Sequence, residues 1–112
     1  MKSYTDLEQS NKLAGILPLE SADNYYFWRD DRYYVVNKDS PYPYSLKAKI
    51  PCWSLTALLK TLNFPSLTQN KEDEWEVCVF DHDNDDYIEK TASNPIDACV
   101  AMIERLHEQK LL

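Results

Sequence analysis

A chain of 112 residues fits one domain and leaves no room for two, and 44% hydrophobic with 28% charged residues is the composition of a folded protein, not a disordered one. Nineteen Asp and Glu against twelve Lys and Arg give a net charge of -7, with the basic residues scattered, so direct nucleic-acid binding is not expected. No apolar run is long enough to span a bilayer and Met1 to Asp6 holds no apolar signal core, so no membrane contact and a cytoplasmic location are expected.

Thr5-Asp6-Leu7-Glu8 reads as a capping box, predicting a helix over about residues 5–16 that Pro18 stops. Two aromatic runs follow, Tyr25 to Trp28 and Tyr33 to Val36. The four-residue polar link Arg29 to Arg32 between them predicts a β-hairpin. Residues 39–51 carry Pro41, Pro43 and Pro51, which predicts a loop with an edge strand near Leu46 to Lys49. Ser54 is the expected cap of a second helix, with Trp53 stapled on Leu58, a buried face at Leu55, Leu58, Leu59 and Leu62, and an end at Pro65. Residues 63–73 read as a polar connection. Trp75 to Asp81 and Tyr87 to Thr91 predict a second hairpin around His82 to Asp85. Asn94 as cap and Pro95 at the first position open a third helix, periodic at Ile96, Cys99, Val100, Ile103 and Leu106.

The predicted fold is therefore α+β: a small two-layer domain of order α-ββ-α-ββ-α. About four mainly antiparallel strands, as two β-hairpins, carry three helices on one face. With Gly15 as the only glycine, turns that need positive φ fall to Asp and Asn at 30–31, 37–39 and 83–85.

Tyr4 to Ser10, Ile16 to Asp23, Ile50 to Leu55 and Asn94 to Cys99 resemble a group of short proteins of gut bacteria and their phages or mobile elements. The likeness touches both ends and the middle of the chain. That group has no established activity, so the resemblance implies a bacterial or phage setting and an accessory role, and assigns no residue a function.

Asp81, Asp83 and Asp85 alternate like the first oxygen ligands of a calcium loop. Asp86 then stands where the motif needs glycine, and Ala92 where it needs a bidentate glutamate. A charged hairpin tip explains the same residues. Cys52, Cys78 and Cys99 lie among apolar neighbours without paired ligands, which predicts buried thiols and no zinc or other cofactor. Cys78 and His82 as nucleophile and base would lie roughly 13 Å apart along a strand. His107 suits the end of a helix dipole. The glycine-rich phosphate and nucleotide loops and the metalloprotease signature are absent from the sequence, so no catalytic residue is assigned.

The first hairpin stands out. Alternation places Tyr25 and Phe27 on one face and Tyr26 and Trp28 on the other, with Tyr33, Val35 and Tyr34, Val36 divided likewise. Both faces are aromatic or apolar, and helices cover only one. The second is covered by the loop bearing Tyr42 and Tyr44, by another copy of the chain, or by a partner. The candidate contact residues are Tyr25, Tyr26, Trp28, Tyr33, Tyr34, Tyr42 and Tyr44. The expected function is a non-enzymatic interaction module that binds a protein or itself. The alternatives are a small metal-dependent or otherwise unfamiliar enzyme using the acidic tip, and an acidic mimic of nucleic acid.

Overall fold

Six β-strands and three α-helices are formed by the residues that the computed structural model describes, 2–39 and 49–112. Helix α1 spans Leu7–Ala14 and is capped one residue later than the sequence pattern predicts. Asp6 is the N-cap. Its carboxylate accepts from the Gln9 amide at 2.8 Å, and the Gln9 side chain accepts from the Asp6 amide at 3.1 Å. Thr5 is taken into the core instead, where its hydroxyl accepts from the Trp53 amide and shares a 2.8 Å hydrogen bond with buried Ser10. A 3-10 turn over Leu19–Ser21 follows.

The first hairpin pairs β1 (Asn24–Arg29) with β2 (Arg32–Asn37) through a shorter link than expected. Only Asp30 and Asp31 lie between the strands, with φ of 53° and 63°, the left-handed pair that a two-residue type I′ turn requires. Strand β3 (Lys49–Cys52) adds to the other side of β1, giving the antiparallel order β2-β1-β3. Of the predicted edge strand, Lys49 is in β3, which runs on through Cys52 where a loop was predicted, and Leu46 to Ala48 lie outside the described residues. Pro51, which lacks an amide hydrogen, is accommodated because β3 sits at the sheet's edge. Residues 40–48, with Tyr42 and Tyr44, lie outside the described residues.

Helix α2 (Leu55–Thr61) is capped by Ser54 as predicted, its hydroxyl oxygen accepting from the Ala57 amide at 3.3 Å. The same hydroxyl donates to Asp23, whose carboxylate also accepts from the Ser54 amide at 2.9 Å. Trp53 and Leu58 are both fully buried in one core cluster.

The stretch 63–73 is not wholly a connection: Ser66–Gln69 forms β4. It pairs with β5 (Trp75–Asp81), which pairs with β6 (Asp86–Ala92), in the antiparallel order β4-β5-β6. Leu67 is the sole apolar residue of β4 and lies opposite Val77, so the strand has no alternation to betray it. Helix α3 (Pro95–Glu108) starts at Asn94 and Pro95 as the sequence predicts.

The architecture is thus α+β with three helices and two three-stranded sheets, in place of one four-stranded sheet. Each hairpin recruits a short third strand of its own, and the two hairpins do not pair with each other. The helices link the sheets: α1 packs on β3, α3 on β5 and β6, and α2 on α3. Leu13, Trp53, Leu58, Val77, Ile96 and Ile103 belong to the shared core. Removing their apolar area from water is the main favourable term in holding the sheets together.

Candidate functional site: the aromatic hairpin

The β1–β2 register places Tyr26 opposite Val35 and Trp28 opposite Tyr33, so these four share one face. Phe27 with Tyr34, and Tyr25 with Val36, share the other. The division is the one that alternation predicts, but burial changes sharply along each strand.

Tyr26 is 9% exposed and its hydroxyl donates to the Thr5 carbonyl at 2.7 Å. Burial raises its phenol well above the ordinary value, so it remains protonated. Its ring stands edge-on to Tyr4 at 6.1 Å and to Tyr33 at 6.2 Å. Two residues further along β1, Trp28 is 51% exposed, and Tyr33 beside it is 41% exposed. Their rings meet edge to face at 4.8 Å. A chain of edge-to-face contacts therefore runs from the core through Tyr26 and Tyr33 to Trp28, holding two half-exposed rings in a defined geometry.

On the opposite face Phe27 is buried and stacks on Tyr34 at 5.4 Å, with the Arg32 guanidinium 5.4 Å from the Tyr34 ring centre. Tyr25 and Tyr34 are half-buried. At the tip, Arg29 pairs with Asp30 at 3.6 Å, and Asp31 and Arg32 are exposed. Of the candidate contact residues, the structure exposes Trp28 and Tyr33, buries Tyr26, and half-buries Tyr25 and Tyr34. Tyr42, Tyr44 and the question of what their loop covers lie outside the described residues.

The acidic tip of the second hairpin is organised around itself. One oxygen of buried Asp81 accepts from the amides of Asp83 and Asn84, at 2.9 and 3.4 Å, and the other from the Asn84 side chain at 2.6 Å. The Asn84 side chain and those amides hold the Asp81 carboxyl below its usual value. Asp83 and Asp85 are exposed. Among the described residues no three His, Cys, Asp or Glu side chains gather as they would around a metal ion.

Burial pushes the thiols of Cys52 and Cys99 up to about 11, so both are protonated near neutral pH and are poor nucleophiles. His82 packs edge-on against Phe80 at 4.8 Å. His107 lies in the last turn of α3.

Sequence reasoning missed two surface features. A cleft of about 610 Å³ opens between the α1–β1 connection and α2, lined by Ile16, Leu17, Glu20, Lys38, Ala57 and Lys60, among others. Close by in the chain, Phe64 is 91% exposed at φ 49°. Its one sequence signal is an aromatic residue directly before a proline.

No family model matches the chain, and neither a curated protein nor a solved structure matches it. Among the described residues no helix is long and apolar enough to cross a membrane.

Proposed function

We propose that this protein is a non-enzymatic protein-interaction module that binds a partner through the exposed end of its first hairpin, with Trp28 and Tyr33 as anchors. The observation that carries this reading is the pair of half-exposed rings fixed edge to face at 4.8 Å and braced from behind by buried Tyr26. Tyr and Trp carry a disproportionate share of binding energy at interfaces, because a large apolar body with a polar tip is buried at little conformational cost. Rings already held in place lose less entropy on binding than mobile ones.

The charged tip, Arg29 to Arg32, supplies the polar rim such a contact needs. A chain of net charge -7 draws in a partner whose matching pocket is rimmed by basic groups. The protonated, buried thiols and the self-satisfied Asp81 add no support to the enzymatic alternative. A cytoplasmic accessory role in a bacterium or phage belongs to the same reading.

The test is a comparison of the wild type with the Trp28→Ala/Tyr33→Ala variant in affinity purification from the encoding organism. A stoichiometric protein retained by the wild type and lost by the folded variant is the expected result. Equal retention by both would remove the hairpin from the account.

A further inference from the structure

The outer edge of β2 is the least guarded sheet edge among the described residues. Strand β3 is short and carries Pro51, β4 is short with one apolar side chain, and β6 carries Asp86, Glu89 and Lys90. Short strands, prolines and charges are the usual means of keeping an edge from pairing. Strand β2 runs six residues in unbroken register with β1, and Tyr33, Tyr34, Val35 and Val36 fill its centre. Its one charged residue, Arg32, lies next to the turn with its guanidinium over the Tyr34 ring.

The register fixes which backbone groups this edge offers. In a two-residue hairpin the residues flanking the turn, Arg29 and Arg32, exchange both main-chain bonds, and bonded pairs then alternate with unbonded ones. Arg32, Tyr34 and Val36 therefore turn their amides and carbonyls toward β1, and Tyr33, Val35 and Asn37 turn theirs outward. The bond from the Lys38 amide to the Asp23 carbonyl, at 3.0 Å, falls where this alternation requires. Among the described residues no strand lies beyond β2 to meet the outward groups. Their spacing is that of a strand's partner, and a residue set opposite Tyr33 or Val35 shares the face of Tyr26 and Trp28.

Charge selects the source of that strand. For a second copy, the two-fold register that uses every outward group centres on Val35. It sets Arg32 against Lys38 and Asp31 against Asp39, so like charges meet at both ends, on chains of net charge -7. A segment with basic flanks meets the reverse. Asp31 and Asp39 stand exposed just beyond the two ends of β2, and neither forms an ion pair among the described residues.

Resting on the reading that the first hairpin contacts a protein, we infer that the outer edge of β2 takes an extended segment of that partner as an antiparallel fourth strand. The segment carries apolar side chains at alternate positions, beside Trp28 and Tyr33, and basic residues at its flanks. Main-chain bonds supply the affinity and the alternate side chains the selectivity.

The probe is a capped peptide of that chemistry, Lys-Lys-Val-Thr-Val-Thr-Val-Lys-Lys, and the readout is amide hydrogen exchange followed by NMR. At a peptide concentration about ten times its Kd, exchange at the Tyr33, Val35 and Asn37 amides should slow about 10-fold. The Tyr34 and Val36 amides, already bonded to β1, should change little. N-methylation of the central valine, whose amide faces β2 in this register, should abolish the effect. N-methylation of the threonines, whose amides face away, should preserve it. No slowing at about 1 mM peptide, slowing at other amides only, or equal effects of the two N-methylated peptides overturns the inference. Slowing that grows with protein concentration in the absence of peptide assigns the edge to a second copy and overturns it too. If strand addition fails while a partner is still retained by the wild type and lost by Trp28→Ala/Tyr33→Ala, the hairpin reading stands without it. If no partner is retained either, both fall.

Discussion

Tyr26 and Trp28 lie two residues apart on the same face of β1, yet truncating them should have unequal consequences for stability. Tyr26→Ala removes a ring that is 9% exposed and takes the hydroxyl from the Thr5 carbonyl, which it meets at 2.7 Å. Deleting a buried aromatic side chain costs about 3–5 kcal/mol, and leaving a buried acceptor poorly satisfied adds about 1–3 kcal/mol. A total near 5 kcal/mol approaches the whole stability of many domains, about 5–15 kcal/mol. Tyr26→Phe isolates the hydroxyl and should cost about 1–2 kcal/mol. Trp28→Ala removes a ring that is already half in solvent. It should cost about 1–2 kcal/mol, from partial burial and the edge contact with Tyr33. Urea unfolding followed by far-ultraviolet circular dichroism measures all three. A Trp28→Ala variant as destabilised as Tyr26→Ala would refute the division into brace and anchor.

Other expectations follow from the same structure. The Lys2 ammonium lies 2.8 Å from Asp97 and 3.1 Å from Asp6, tying the N-terminal segment to the start of α3. Burial alone would raise the Asp97 carboxyl, but hydrogen bonds from Lys2, Gln9 and Asn94 outweigh it and hold the group below 3.8. A depressed folded value means this stabilisation is present above 3.8 and is lost as pH falls through the folded value. The thermal midpoint should therefore drop below about pH 4, and less steeply in Asp97→Asn. With Cys52 and Cys99 fully buried and Cys78 partly accessible, a thiol reagent should label Cys78 first in the native protein, and labelling of all three at one rate would contradict that burial. Changing Asp30-Asp31 to Asn-Gly should stabilise the hairpin by about 1 kcal/mol, because both positions have positive φ. A loss of stability in urea unfolding would show that the turn is of another type.

The elements most legible in the sequence are those whose signals are local. Helix α3 is announced by Asn94 and Pro95 and by its apolar period, and both hairpins by aromatic or β-branched runs around acidic turns. What escaped is what distant residues decide. Thr5 and Asp6 are both competent caps, and the choice falls to Asp6 because Trp53, far along the chain, claims the Thr5 hydroxyl. Strand β4 has a single apolar residue and exists through its ladder with β5. The split into two sheets follows from which edge each short strand joins, a non-local outcome that alternation does not encode. At the hairpin, the pattern identified the faces but not the depth, since Tyr26 and Trp28 look alike until Thr5 and Tyr4 cover one of them. Phe64 sat unremarked in a stretch read as polar because exposure and φ are properties of the fold.

The central claim is tested most directly by a photo-crosslinking residue, benzoylphenylalanine, placed at Tyr33 and, in a separate variant, at Tyr87. Tyr87 is 64% exposed on β6 of the other sheet and serves as the control for exposure alone. Irradiation in the encoding cells should yield a discrete heterotypic adduct from position 33 and none from position 87. No adduct at 33, or the same adduct from both positions, would contradict the assignment of the first hairpin as the contact surface.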